Sequence, residues 1–348
     1  MKTQAYSDLD QYLHNQFLGD TELSNFLFNR IKKYKKPKQK IQKVFISGLA
    51  RAGTTALLNQ LYITEQFASL KYSHMPFVLN PRLSFLFSKI TDKNQEATER
   101  IHQDGIRISI DSPECLDEPF WIKENHKYFS QKISTKRKYK PYLLKSYANF
   151  LSKHCIFQNK EKILIKNNNN LLRLPQLCNF FKDDLFIVLF REPISHSVSL
   201  NNTHQKICEA QRKDPFILEY MNLIGHREFG LNQTPFHYQI EDDQKNSILN
   251  SREKLNYWIQ SWINCYSWLY EYIKKNKPKN LLLISYEQLC ETNSGILKNL
   301  FKKLELNTDY NFILSNKNKN KNKNNLIDID KKLKSASKEI YLKLIQID

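Results

Sequence analysis

Lys43-Val-Phe-Ile-Ser-Gly-Leu-Ala-Arg-Ala-Gly-Thr-Thr-Ala-Leu-Leu-Asn-Gln-Leu61 opens on an apolar run, Val44 to Ile46, with the length and composition of a buried parallel strand. Gly48 and Gly53 bracket a five-step turn, and Ala56, Leu57, Leu58 and Leu61 follow at helical spacing. Strand, glycine-bounded turn and helix start together aim backbone N–H groups and a helix dipole at an anion. The turn nearly spells the nucleotide P-loop, G-x-x-x-x-G-K-[ST], but Thr54 stands where that motif has lysine. Arg51, two residues before Gly53, supplies the positive charge instead. Such a turn is ill-suited to span the β- and γ-phosphates of ATP. It still suits a single terminal phosphate-like group, with the hydroxyls of Thr54 and Thr55 as added donors. Two glycines at a strand-to-helix turn also have a purely conformational reading. The specific order Gly-x-x-Arg-x-Gly-Thr-Thr is what argues for a phosphate cradle.

The chain of 348 residues is long enough to bury a full core. Lys and Arg total 54 against 35 Asp and Glu, a net charge of +19, which favours a polyanionic partner or a polyphosphorylated cofactor. Much of that charge is compositional, as in the Lys/Asn tract Lys317 to Asn325, so charge alone does not argue for nucleic acid. Six cysteines at 115, 155, 178, 208, 265 and 290 form no C-x-x-C pair and no Cys/His cluster. They read as reduced thiols in a reducing compartment, with no metal site expected. No signal-peptide core and no run of 18 apolar residues is present, which predicts a soluble, cytoplasmic protein without a membrane span.

Taken in order, residues 8 to 35 carry the spacing of one or two amphipathic helices, and Lys32 to Lys40 form a basic linker. The helix after the phosphate turn reads as far as about Phe67, and Tyr72 to Pro81 reads as a loop. Acid then gathers in Asp-Ser-Pro-Glu-Cys-Leu-Asp-Glu118, at Glu114, Asp117 and Glu118. One reading is a helix start, with Ser112 as N-cap and Pro113 in the first position; another is a carboxylate that deprotonates an acceptor hydroxyl. A helix is expected over Tyr142 to Phe157 and a short strand over Ile163 to Ile165, halted by four asparagines. Lys166 and the asparagine amides therefore sit at the carboxyl edge of a sheet, where ligand crevices form in α/β proteins. Leu185 to Phe190 is the clearest strand. Arg191 stands at its tip, Pro193 opens a helix, and Ser199 lies about two turns in. The aromatic run between 253 and 277 is at helical spacing, which favours core over a stacking surface. Residues 329 to 346 read as a terminal helix.

The Arg51-x-Gly-Thr-Thr turn resembles the 5′-phosphosulfate loop of sulfotransferases that use 3′-phosphoadenosine-5′-phosphosulfate (PAPS). Arg191 with Ser199 eight residues later resembles the pair that grips the 3′-phosphate in that family. Both follow strands and occur in the expected order. Lys166-Asn-Asn resembles the lysine-led loop before the 3′-phosphate strand, and Leu281-Leu-Leu-Ile-Ser-Tyr-Glu-Gln-Leu289 resembles a late Tyr-Glu-Asp-Leu-like signature, with Gln288 in place of Asp. Asp111 to Glu114 and Tyr220 to Gly230 resemble stretches of soluble bacterial members that modify polysaccharides. The resemblance covers about residues 41 to 305. Departures are the absence of a Gly-x-x-Gly-x-Trp-Lys segment and of a histidine directly after Lys166.

The resemblance implies an α/β, P-loop-type three-layer fold with a central, mostly parallel sheet, helices on both faces and helical insertions. Residues 1–40 form a helical leader and linker, 41–314 the sulfotransferase-like domain, and 315–348 a Lys/Asn-rich loop and C-terminal helix. It implies that Gly48, Arg51, Ala52, Gly53, Thr54, Thr55, Arg191, Ser199 and Tyr286 bind PAPS, and that Arg51 and Lys166 are catalytic. The acceptor is a hydroxyl compound, a sugar or polysaccharide precursor on resemblance only; no metal and no nucleic acid are expected. Candidate bases are Glu118 first, then Asp117, Glu114, His226 and His204. Two alternatives stand beside this reading. A P-loop kinase or nucleotide hydrolase is opposed by Thr54 and by a strand ending in Arg191 rather than Asp. A nucleic-acid-binding protein is suggested by charge but by no motif.

Overall fold

The computed structural model describes residues 6–32, 40–90, 98–99, 107–114, 116–124, 138–236, 254–291, 295–306 and 329–347. The basic linker over 33–39, Cys115 and the Lys/Asn tract lie outside them. The strands are β1 (Gln42–Gly48), β2 (Phe67–Ser69), β3 (Thr98–Glu99), β4 (Arg107–Ile108), β5 (Lys162–Lys166), β6 (Leu185–Phe190) and β7 (Leu281–Ser285). Five of them make one sheet in the order β2-β5-β1-β6-β7, every pair parallel, while β3 and β4 form a small antiparallel ladder apart from it.

Each central strand is apolar on both faces because each face is covered. Val44, Ile46, Leu164, Ile187 and Leu189 enter one apolar cluster; Phe45, Ile163, Ile165, Phe186 and Val188, alternating with them, enter another. That is the period-2 pattern of a strand buried on two sides. Phe45 and Phe186, opposite each other on β1 and β6, stack with centroids 4.5 Å apart.

The first cluster is completed by α3 (Thr54–Tyr62), α11 (Tyr286–Cys290) and α12 (Gly295–Leu304), through Leu57, Leu58, Leu61, Leu289 and Leu300. The second is completed by α6 (Pro141–Phe157), α7 (Leu174–Phe180), α10 (Leu255–Asn276) and α13 (Lys331–Ile345), through Phe150, Leu177, Trp262 and Leu344. The other α-helices are α1 (Asp8–Leu18), α2 (Glu22–Lys32), α4 (Pro81–Ile90), α5 (Glu118–Glu124), α8 (Pro193–Lys213) and α9 (Pro215–Leu223). Leu18 of α1 and Phe28 of α2 are buried in the second cluster, so the leading helices pack on the core. Trp258, Trp262, Tyr266 and Leu269 of α10 are buried, which makes its aromatic stripe core. Among the described residues no helix is long and apolar enough to cross a membrane.

The structure corrects two local expectations. Helix α3 stops at Tyr62, Glu65 turns with φ 58°, and Phe67–Ser69 becomes the edge strand beside β5. Three residues are too few to show a period. Pro113 does not open a helix: it bridges Lys71 in antiparallel fashion, and Glu114 N–H donates to the Leu70 carbonyl at 3.0 Å. A tertiary pairing outcompetes the local capping signal there, and α5 begins only at Glu118.

This topology sets β1 between β5 and β6, so Lys166, Gly48 and Arg191 lie at the carboxyl ends of three adjacent strands. A crevice at that edge is where open α/β sheets take ligands.

Candidate active site

The turn after β1 is built for close backbone approach. A Cβ on Gly48 would come 2.6 Å from the Leu189 carbonyl oxygen, and one on Gly53 would come 2.6 Å from the Tyr286 ring. Gly53 has φ 95° and Arg51 has φ 72°, a left-handed conformation rare outside glycine. The Ala52 N–H closes the turn on the Leu49 carbonyl at 3.1 Å. Helix α3 then starts at Thr54 with no side-chain cap, and Ala52, Thr54 and Thr55 are buried. Uncapped N–H groups of a first turn are the donors that an anion takes.

Supports beneath the turn come from far along the chain. The Tyr266 hydroxyl donates to the Leu189 carbonyl at 2.8 Å and accepts from the Leu49 N–H at 3.2 Å. The buried His196 ring donates through Nε2 to the Ala50 carbonyl at 2.8 Å. Burial pushes its pKa down to about 3, and that of His154, on the Val78 carbonyl, down to about 4. Both are neutral in the folded chain, whereas an unfolded histidine takes up a proton near pH 6.5. Their contribution to stability is therefore full above pH 6.5 and lost as pH falls toward 4. Each withdraws about 1.4 kcal/mol per pH unit below 6.5. The thermal midpoint should drop steeply from pH 6.5 to 4.5; a flat midpoint over that range would show that these rings are not held neutral.

Two arginines and a serine meet above the turn. Arg51 Nε donates to Ser199 Oγ at 3.1 Å, joining the turn to α8. Arg191 Nη1 donates to the Arg51 carbonyl at 3.4 Å, and its guanidinium lies 4.9 Å over the Tyr286 ring. On the other side, Lys166 Nζ pairs with Glu114 Oε1 at 2.7 Å, both side chains nearly buried. Thr54 Oγ1 donates to Asn168 Oδ1 at 3.4 Å.

The family model for the sulfotransferase family matches residues 43–226, which span β1 through the turn after α9 and hold the arrangement except for Tyr266 and Tyr286. This chain is a member of the sulfotransferase family. Two solved sulfotransferases resemble it in backbone: STF1 from Mycobacterium tuberculosis H37Rv and STF9 from Mycobacterium avium. STF1 is 11% identical over 98% of this chain and 87% of its own, with a TM-score of 0.49. STF9 is 10% identical over 96% and 76%, with a TM-score of 0.41. No curated protein matches the chain in sequence.

In this sulfotransferase, Gly48, Arg51, Ala52, Gly53, Thr54, Arg191, Ser199 and Tyr286 come together at the carboxyl ends of β1 and β6. Of the candidate bases, Glu114 lies beside them on Lys166 Nζ, and the other four are held in contacts of their own. Glu118, first among them, is fully buried and ion-paired to Arg173, and Oε2 also accepts from Asn167 Nδ2 at 2.7 Å. Asp117 is as deep, held by the Tyr147 hydroxyl at 2.6 Å and by Asn167 Nδ2 at 3.0 Å; burial, then the charge of Glu118, raises its pKa. His204 is buried against Cys208 and accepts the Gly230 N–H at 3.2 Å, so it braces a turn. His226 sits in the turn after α9, its N–H on the Met221 carbonyl. Glu118, expected as the proton acceptor, stands in a buried ion pair with Arg173. Its partner Arg173 lies 55 residues on, and no local pattern announces the pairing.

Proposed function

We propose that this sulfotransferase takes its sulfuryl group from PAPS and delivers it to a hydroxyl of an acceptor, with a sugar or polysaccharide precursor placed first on resemblance. The observation that carries the reading is the Arg51–Ser199 hydrogen bond, with Arg191 on the Arg51 carbonyl. It brings an uncapped helix start and a separate Arg/Ser pair into one site, which suits an anion with phosphates at two positions. ATP has no such second phosphate.

PAPS supplies a sulfuryl group activated by a phosphate leaving group. N–H groups of Ala52 to Thr55 would hold the 5′-phosphate. Arg51, tethered to Ser199, would face the oxygen on which negative charge develops, and Lys166, oriented by Glu114, would neutralise the same region from the β5 side. Arg191 and Ser199 would hold the 3′-phosphate, with Tyr286 supporting both the Arg191 guanidinium and Gly53.

Preorganised donors at a developing oxyanion are typically worth about 3–4 kcal/mol each. Arg51→Ala should therefore lower turnover by roughly 10²- to 10³-fold and shift donor affinity much less. The comparison is of kcat from labelled-sulfate transfer with the Kd for adenosine 3′,5′-bisphosphate. Equal loss of both would reduce Arg51 to an anchor.

A further inference from the structure

Between the turn after β1 and the segment after α9 lies a narrow cavity of about 30 Å³, lined in part by Leu49, Ala50, Glu228, Gln233, Phe236 and Trp258. It has room for a water or the hydroxyl end of a larger molecule. Glu228 Oε1 accepts from Asn168 Nδ2 at 2.9 Å, and Asn168 Oδ1 accepts from Thr54 Oγ1. Two hydrogen bonds thus link this carboxylate to the first helical residue of the phosphate turn. No described residue donates to its Oε2. By contrast, both oxygens of Glu118 and of Asp117 are engaged, and Glu114 is bound to Lys166 and to the Tyr72 hydroxyl.

The segment that carries Glu228 is fixed at several points. The Thr234 N–H donates to the Arg227 carbonyl at 2.8 Å, Asn169 Nδ2 to the Gly225 carbonyl at 3.2 Å, and the Tyr257 hydroxyl to Gln233 Oε1 at 2.9 Å. Gly225 and Gly230 turn with φ 70° and 86° on either side of it. A half-buried carboxylate with one oxygen anchored by Asn168, lining a hydroxyl-sized space beside the phosphate turn, is what a general base requires.

We propose that Glu228 is the base that accepts the acceptor's hydroxyl proton, and that the cavity beside Leu49 and Ala50 seats that hydroxyl. The assignment rests on the PAPS reading above. The proton passes to Glu228 Oε2 and the acceptor oxygen bonds to sulfur. The bond from sulfur to the donor's phosphate oxygen breaks, its electron pair staying on that oxygen in adenosine 3′,5′-bisphosphate.

Water is the probe acceptor. Labelled-sulfate release from PAPS is followed against pH for the full chain and for Glu228→Gln, whose amide oxygen keeps the bond from Asn168. Calorimetric binding of adenosine 3′,5′-bisphosphate is measured for both. The expected result is release slowed by roughly 10²- to 10⁴-fold, as for loss of a general base, with the acidic limb of the pH profile abolished and bisphosphate affinity within about twofold. Release and pH profile unchanged would overturn the proposal, and so would a parent enzyme that binds the bisphosphate yet releases no sulfate. A comparable fall in bisphosphate affinity would make Glu228 a brace for Asn168 and Thr54. Failure of the parent to bind the bisphosphate at all would instead remove the PAPS reading.

Discussion

Arg191→Ala is expected to weaken binding of adenosine 3′,5′-bisphosphate by roughly 10- to 150-fold and leave AMP binding nearly unchanged. The magnitude is that of hydrogen bonds to a charged group, about 1.5–3 kcal/mol, at 1.4 kcal/mol per tenfold. The same substitution should erase the preference for PAPS over adenosine 5′-phosphosulfate, since the two differ only in the 3′-phosphate. Arg191 also braces the turn through the Arg51 carbonyl and stacks on Tyr286, a second route by which its loss reaches the 5′-phosphate. AMP separates the two effects. If affinity for AMP falls as far as affinity for the bisphosphate, Arg191 holds the loop and not the 3′-phosphate. Retained preference for PAPS would sink the assignment outright.

Arg173→Met should cost about 3–5 kcal/mol of folding stability, the usual penalty for leaving a buried charge without its partner. Arg173 and Glu118 are both fully buried, Arg173 Nε is bound to Asn170 Oδ1 at 2.7 Å, and its guanidinium lies 4.5 Å over the Trp121 ring. Burial opposes the arginine's charge, yet the charge of Glu118 outweighs it and raises the Arg173 pKa above its ordinary value. Removing the arginine leaves the Glu118 carboxylate buried beside Asp117 without its cation. Replacing both members by methionine should recover most of the loss, because a well-packed apolar pair often matches a buried ion pair. Urea midpoints of the single and double variants make the comparison. Glu118→Gln supplies the catalytic counterpart: the folded fraction should keep its turnover. A stable Glu118→Gln protein without turnover would restore Glu118 as the base and contradict its burial as the deciding fact.

The parts of this molecule legible in its sequence are those written locally. Strands β1, β5 and β6 show as short apolar runs, and each is ended by a residue that stops a strand: Gly48, the asparagines after Lys166, and Arg191 ahead of Pro193. Because the three lie side by side, reading their ends puts Arg51, Lys166, Arg191 and Ser199 at one edge. The aromatic spacing of α10 marks it as core by the same local logic. What escapes a sequence reading is set by distant partners. Strand β2 exists because Phe67 to Ser69 meet β5. The cap signal at Ser112 and Pro113 yields because Pro113 bridges Lys71 and the Glu114 N–H reaches the Leu70 carbonyl. The charge on Glu118 invites a catalytic role, and its pairing with the distant Arg173 and Asn167 is invisible locally. Glu228 and Asn168 carry no signal beyond two flanking glycines and a run of asparagines. Their meeting with Thr54 joins segments 60 and 114 residues apart.

The central claim is a two-phosphate nucleotide site, and calorimetric titration of the protein with adenosine 3′,5′-bisphosphate, AMP and ATP with magnesium tests it most directly. The bisphosphate should bind tightly and the other two weakly, since only it engages the uncapped turn and the Arg191–Ser199 pair together. Preference for ATP with magnesium would contradict the account and return the chain to the kinase or nucleotide hydrolase reading that Thr54 argues against.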